Sequence, residues 1–153
     1  LFTFGFTNNF EYRNFTLGLF IEGAYGNDII NYTRKGLESL DGSRNNITTT
    51  LDRWTPENTK ASLPRADANS NSGAFSDRWV EDGSYVRLKD LTLGYNIPGK
   101  ALKDIAAVNV FMSFENLVTL TGYSGNDPAI GGGIDNNLYP TARKSSFGIK
   151  LTF

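Results

Sequence analysis

The chain has no cysteine and no histidine. The first absence excludes a disulfide framework, and the second removes imidazole acid–base chemistry. Zinc-finger ligand sets go with them, leaving only an all-carboxylate metal site open. No apolar run approaches the ~20 residues of a transmembrane helix, so helical spanning is excluded. That test is blind to β-barrels, where only alternate residues face lipid. Positive charge is not in excess either: 15 Lys and Arg meet 16 Asp and Glu, whereas a nucleic-acid partner favours a basic surface. What the chain does have is abundant aromatics, Asn, Thr and Gly, which suit strands and turns better than helical bundles.

Five segments alternate with period two. Phe2, Phe4, Phe6 and Phe10 share a face, with Thr3, Gly5 and Thr7 opposite. Tyr12-Arg13-Asn14 connects to a second strand with Phe15, Leu17, Leu19 and Ile21 on one side and Thr16, Gly18, Phe20 and Glu22 on the other. The third, from about Ser84 to Ile97, holds Val86 and Leu88 in one phase and Leu91, Leu93, Tyr95 and Ile97 in the other. Such a slip near Lys89-Asp90 predicts a β-bulge. Pro98-Gly99-Lys100 begins a short turn, and a fourth strand aligns Val108, Val110, Met112 and Phe114 against Asn109, Ser113 and Glu115. The fifth places Phe147, Ile149, Leu151 and Phe153 opposite Gly148, Lys150 and Thr152.

A terminal strand is an edge that invites aggregation unless a neighbour closes it. The connections run short, very long, short, long, as short periplasmic turns and long outer loops do in a membrane barrel. Five strands cannot close such a barrel, since known ones start at about eight. The chain also starts inside a strand at Leu1, without an initiator Met or signal peptide, so it is expected to be part of a longer protein whose location the missing leader does not address. Within the long loop, Ile29, Ile30, Thr33, Leu37 and Leu40 predict a weak helix over Asn27–Leu40 ended by Asp41-Gly42. A second short helix is predicted over Asn45–Trp54 before Pro56, and a mobile stretch over Ala66–Ala74.

Five motifs in order resemble the C-terminal end of SusC/RagA-type TonB-dependent outer-membrane transporters. They are LGLFIEGAYGNDIINYTR (Leu17–Arg34), LDRWTPENTKASLPR (Leu51–Arg65), SDRWVEDGSYVRLKDLTLGYNIP (Ser76–Pro98), NVFMSFENLVTLTGYSGNDP (Asn109–Pro128) and YPTARKSSFGIKLTF (Tyr139–Phe153). The resemblance implies an all-β fold: the last five strands of a 22-stranded antiparallel barrel, with residues 1–153 inside the barrel domain and the plug elsewhere. It also implies uptake of oligosaccharides or peptides with a SusD-like surface lipoprotein as lid, driven by TonB through a part of the protein outside this chain. Phe153 resembles the terminal signal read by the barrel-assembly machinery. No cofactor and no enzymatic activity are implied.

On this reading Phe15, Leu17, Leu19, Leu91, Leu93, Val110, Met112, Phe147, Ile149 and Leu151 face lipid, while Glu22, Glu115 and Lys150 face the lumen. Lys150 toward lipid would cost ~2–4 kcal/mol at the midplane. Tyr12, Tyr95 and Phe153 would form one aromatic girdle, and Tyr25, Tyr123 and Tyr139 the other. In the loops, Trp54 and Trp79 either stack on sugar rings, or else pack a small local core or sit at the membrane interface, and the burial tendency of Trp favours the latter pair. Asn126, Asp127 and Asp135, with Asn136, gather oxygen donors of the kind Ca²⁺ accepts, but lack calcium-loop spacing and are ordinary turn formers. Glycosidase chemistry needs two carboxylates in one cleft, which no segment presents. Two rivals remain: a soluble glycan-binding β-sandwich, with the apolar faces packed between sheets, and an outer-membrane barrel without transport.

Overall fold

The computed structural model describes residues 1–40, 45–68, 74–98 and 107–152. They form two compact units. Leu1–Asn27, Gly83–Gly122 and Pro140–Phe153 make the first; Asp28–Asp82 and Tyr123–Tyr139 make the second.

The first unit is a single antiparallel sheet of β1 (Phe2–Tyr12), β2 (Phe15–Tyr25), β5 (Tyr85–Ile97), β6 (Ala107–Thr121) and β8 (Lys144–Thr152), in that spatial order. The period-two alternation read from the sequence drives each strand. Only Arg13 and Asn14 separate β1 from β2, and Arg13 takes φ 53° to close the turn. Asn14 then ties the turn to the next strand, donating from its side chain to Asn96 O at 2.7 Å.

Directly opposed residues share a face, so the register sorts the side chains. Tyr12, Phe15, Tyr95, Val110 and Ile149 form one cross-strand row. Phe10, Leu17, Leu93, Met112 and Phe147 form the next on the same face, followed by Leu19, Leu91 and Phe114. Val86 and Leu88 occupy that face too, although their parity differs from that of Leu91. The pairing skips Lys89 on both sides: Phe20 opposes Asp90 while Ile21 opposes Leu88, and Leu88 and Asp90 oppose Val118 and Glu115. The bulge expected near Lys89-Asp90 is therefore present, and it keeps one face apolar through a parity change.

On the β6 side the same irregularity leaves Asn116 and Leu117 outside the pairing. Asn116 sits at φ 53°, a region Asn tolerates better than branched residues, and its side-chain amide donates to Ala142 O at 3.0 Å. Glycines on both faces of the sheet make room for rings. A Cβ on Gly148 would fall 2.7 Å from Phe111 Cε1, and one on Gly23 would fall 2.6 Å from both Phe4 Cε1 and Tyr85 O.

The second unit departs from the sequence expectation. Ile29 and Ile30 belong not to a helix but to β3 (Asp28–Asn31), which pairs antiparallel with β4 (Val80–Asp82) and parallel with β7 (Ile134–Asp135). Helix α1 covers only Tyr32–Glu38, with the Asn31 side chain accepting from Arg34 N at 2.8 Å as its cap. The second expected helix shrinks to a 3-10 turn, Thr48–Asp52. Long-range partners won in both cases: Ile29 is fully buried, and the backbone of Trp54 bonds Leu63 O at 2.9 Å instead of continuing a helix. Asp41-Gly42, the turn after Pro98, Phe153 and part of the 66–74 stretch lie outside the described residues.

Candidate functional site

The sheet presents two chemically different faces. All ten residues expected toward lipid share the apolar one. Many are open there: Phe15 is 62% exposed, Phe147 66% and Ile149 59%. Glu22, Glu115 and Lys150 share the opposite face. Lys150 opposes Asn109, whose amide donates to Asn96 Oδ1 at 2.7 Å. Glu22 pairs with Lys89 at 3.2 Å and Glu115 with Lys144 at 3.0 Å. Arg87 is buried between them in the strand order, its Nε donating to Thr119 Oγ1 at 2.9 Å. Partly exposed pairs such as these contribute ~0–1 kcal/mol each, so they define a polar surface more than they stabilise the sheet.

In the loop unit, Trp79 is fully buried; its indole N–H donates to Ala74 O at 2.9 Å and Arg78 stacks 4.6 Å above its ring. It packs the local core and offers no open face for stacking. Trp54 is 36% exposed. Asp127 accepts from Ala129 N at 2.9 Å, an ordinary turn contact. Asp135 is buried, with Oδ1 accepting from Asn137 N at 3.0 Å and Oδ2 accepting from the Tyr123 hydroxyl at 2.6 Å. Burial, then Asp135, push that phenol well above its usual pKa. Asn126 is exposed. Among the described residues no group of three carboxylates gathers to hold a metal ion.

Sequence reasoning missed the polar centre of this unit. Glu81 accepts from Asn31 Nδ2 at 3.2 Å, Arg34 Nη1 at 3.0 Å, Ser124 Oγ at 2.9 Å and Ser124 N at 2.9 Å. Arg34 also pairs with Glu38 at 3.2 Å, and Glu38 with Arg78 at 3.4 Å. Burial alone would raise the Glu81 pKa, but the Ser124 donors and Arg34 outweigh it and hold the carboxyl below its ordinary value. Burial likewise opposes the Arg34 charge, and the two carboxylates overcome it. The Arg34–Glu38 spacing of four residues was the one local signal available; Glu81 and Ser124 are far away in sequence. Beside this network lies a cleft of about 450 Å³ whose lining includes Thr33, Arg34, Leu37, Ile47 and Asn126.

No protein-family model matches the chain. It is 36% identical to TonB-dependent receptor P3 of Formosa agariphila over 99% of its length, which is 16% of that protein. It is 25% identical to TonB-dependent receptor SusC of Bacteroides thetaiotaomicron, covering 97% of this chain and 15% of SusC. The backbone superposes on the RagAB peptide importer in its closed-closed state with a TM-score of 0.87 at 28% identity, over 99% of this chain and 17% of that one. The chain thus spans about a sixth of the length of its relatives. With its two-faced antiparallel sheet and near-complete match to these proteins, it belongs to the SusC/RagA-type TonB-dependent receptors.

Proposed function

We propose that this chain is the C-terminal wall of an outer-membrane active transporter that imports oligosaccharides or peptides under a SusD-like lipoprotein lid, with TonB acting on a part outside the chain. One observation carries the reading: a single sheet shows an open apolar face and an opposite face of paired charges and amides. A water-soluble sandwich would bury the first face, and large open apolar patches on soluble monomers are rare. In a barrel that face meets hydrocarbon, and Glu22, Glu115 and Lys150 meet a polar lumen. Passage, not bond chemistry, is the function. The fully open Tyr139 and the edge residue Trp54 extend the loop surface that would meet the lid.

The test is uptake by cells carrying the full-length receptor and its neighbouring lipoprotein. Accumulation of labelled oligosaccharide or peptide that disappears without TonB supports the assignment; equal accumulation without TonB overturns it. In the same cells, Trp54→Ala is expected to weaken lid association and uptake, and removal of Phe153 to lower the amount of assembled receptor. Recovery of the receptor in any fraction but the outer membrane would contradict the location.

A further inference from the structure

We propose that the apolar face seats one anionic phospholipid of the inner leaflet: Arg13 takes its phosphate, and a groove beside it takes an acyl tail. The proposal rests on the membrane-wall reading above and adds a ligand to it. The groove, of about 530 Å³, reaches from Phe10 and Tyr12 on β1 to Phe147 on β8. No charged residue lines it, and only Thr16 and Gly94 interrupt the apolar and aromatic side chains. Crossing five strands gives it a length of roughly 19 Å at the usual inter-strand spacing. One leaflet's hydrocarbon is about 15 Å deep, so the groove has the length of a lipid tail.

The register gives the groove a direction. On β1 and β2 it begins at the turn itself, because Tyr12 and Phe15 flank Arg13-Asn14. Across the sheet the same row reaches Ile149, and β8 runs on past it to Thr152. The groove therefore starts at the turn and climbs away from that end of the sheet, as strand tilt in a barrel requires. Short turns face the periplasm, so this starting end meets the inner leaflet. Arg13 stands there: its guanidinium carbon lies 5.4 Å from the centre of the Tyr12 ring, which lines the groove. Phe15 and Tyr95, with ring centres 4.8 Å apart, wall the groove on the side of the turn. Among the described residues Arg13 has no carboxylate partner, unlike Arg34, Arg65 and Arg78. A planar, always charged guanidinium at headgroup depth suits a phosphate diester, whereas a zwitterionic head group brings its own cation to compete.

The test is photolabelling of the full-length receptor reconstituted in phosphatidylcholine bilayers. These carry a trace of phosphatidylglycerol or of phosphatidylcholine with a diazirine in one tail, and labelled peptides are mapped by mass spectrometry. Phosphatidylglycerol is expected to label Leu93 and Met112 about fivefold more than phosphatidylcholine does, the worth of one Arg at the membrane surface. At Val118, on the same face but outside the groove, the two lipids should label equally. Arg13→Asn should erase the preference and keep the turn, since Asn tolerates the left-handed φ of 53°. Arg13→Lys should retain the preference. Equal labelling of the groove by both lipids, or a preference that survives Arg13→Asn, would overturn the proposal and leave the membrane wall standing. So would a groove that neither lipid labels while Val118 is labelled, which means that a second copy or another protein covers it. Absence of label from the whole face sinks the membrane-wall reading and the proposal with it.

Discussion

Replacing Glu81 by Ala tests how the loop unit is held together. Its side chain is only 12% exposed and its carboxylate receives four donors from three residues on two chain segments far apart in sequence, Asn31 and Arg34 on one and Ser124 on the other. Hydrogen bonds to a charged acceptor are worth ~1.5–3 kcal/mol each, but they are not additive and the exposed Ser124 would recover water. Arg34 would keep Glu38 at 3.2 Å, so its charge is not left bare. Loss of one partner from a largely buried pair costs ~3–5 kcal/mol, and these two compensations place the expected cost near the lower end, about 3 kcal/mol. That is roughly a hundredfold in the local opening equilibrium. Hydrogen exchange of the full-length receptor in detergent reads it directly: residues 28–38 and 123–127 should exchange much faster while β5 and β6 keep their protection. Acid should do the same. A carboxyl held below its ordinary value contributes its full stability above about pH 4.3 and loses it as pH falls through the depressed value. Protection of those segments should therefore be flat from neutral pH to about 5 and decline below about 4. Unchanged exchange in Glu81→Ala, or a decline already complete above pH 5, would refute the reasoning.

Two further pairs of substitutions probe the sheet. Gly23→Ala should destabilise the folded barrel by ~1–3 kcal/mol, because its new methyl meets the immovable Tyr85 carbonyl, whereas Gly5→Ala meets only the Phe20 ring at 3.2 Å and should cost much less; urea unfolding in detergent compares them. Asn116→Val should lose ~2–3 kcal/mol from left-handed strain and the missing bond to Ala142, while Asn116→Gly should lose about half of that.

The sheet was legible because its signal is local and repeated. Each of the five strands carries its own alternation, and the parity change between Leu88 and Leu91 marked the bulge before any coordinates. The loop unit was not, because its elements are defined by distant partners. Ile29-Ile30 reads as helix beside Thr33 and Leu37, yet three residues at Val80–Asp82 and two at Ile134–Asp135 turn it into a central strand. Asp127 and Asp135 were recognisable as turn residues, but the buried bond from Tyr123 to Asp135 joins positions twelve apart with no pattern between them. Glu81 sits in the SDRWVEDGSYVRLKDLTLGYNIP segment, and nothing nearby announces that Ser124 donates to it twice.

This stretch contributes no cysteine, so once any cysteine elsewhere in the full-length receptor is replaced, single nitroxide labels can be placed along β5 and the receptor reconstituted in a lipid bilayer. Collision with dissolved oxygen, which concentrates in hydrocarbon, should be high at Val86 and Leu88, skip phase across Lys89, and be high again at Leu91 and Leu93. Asp90, Thr92 and Asn96 should instead meet a water-soluble relaxing agent. Equal access of that agent to both sets, or alternation without the skip at Lys89, would contradict a wall with lipid on one side and an aqueous lumen on the other.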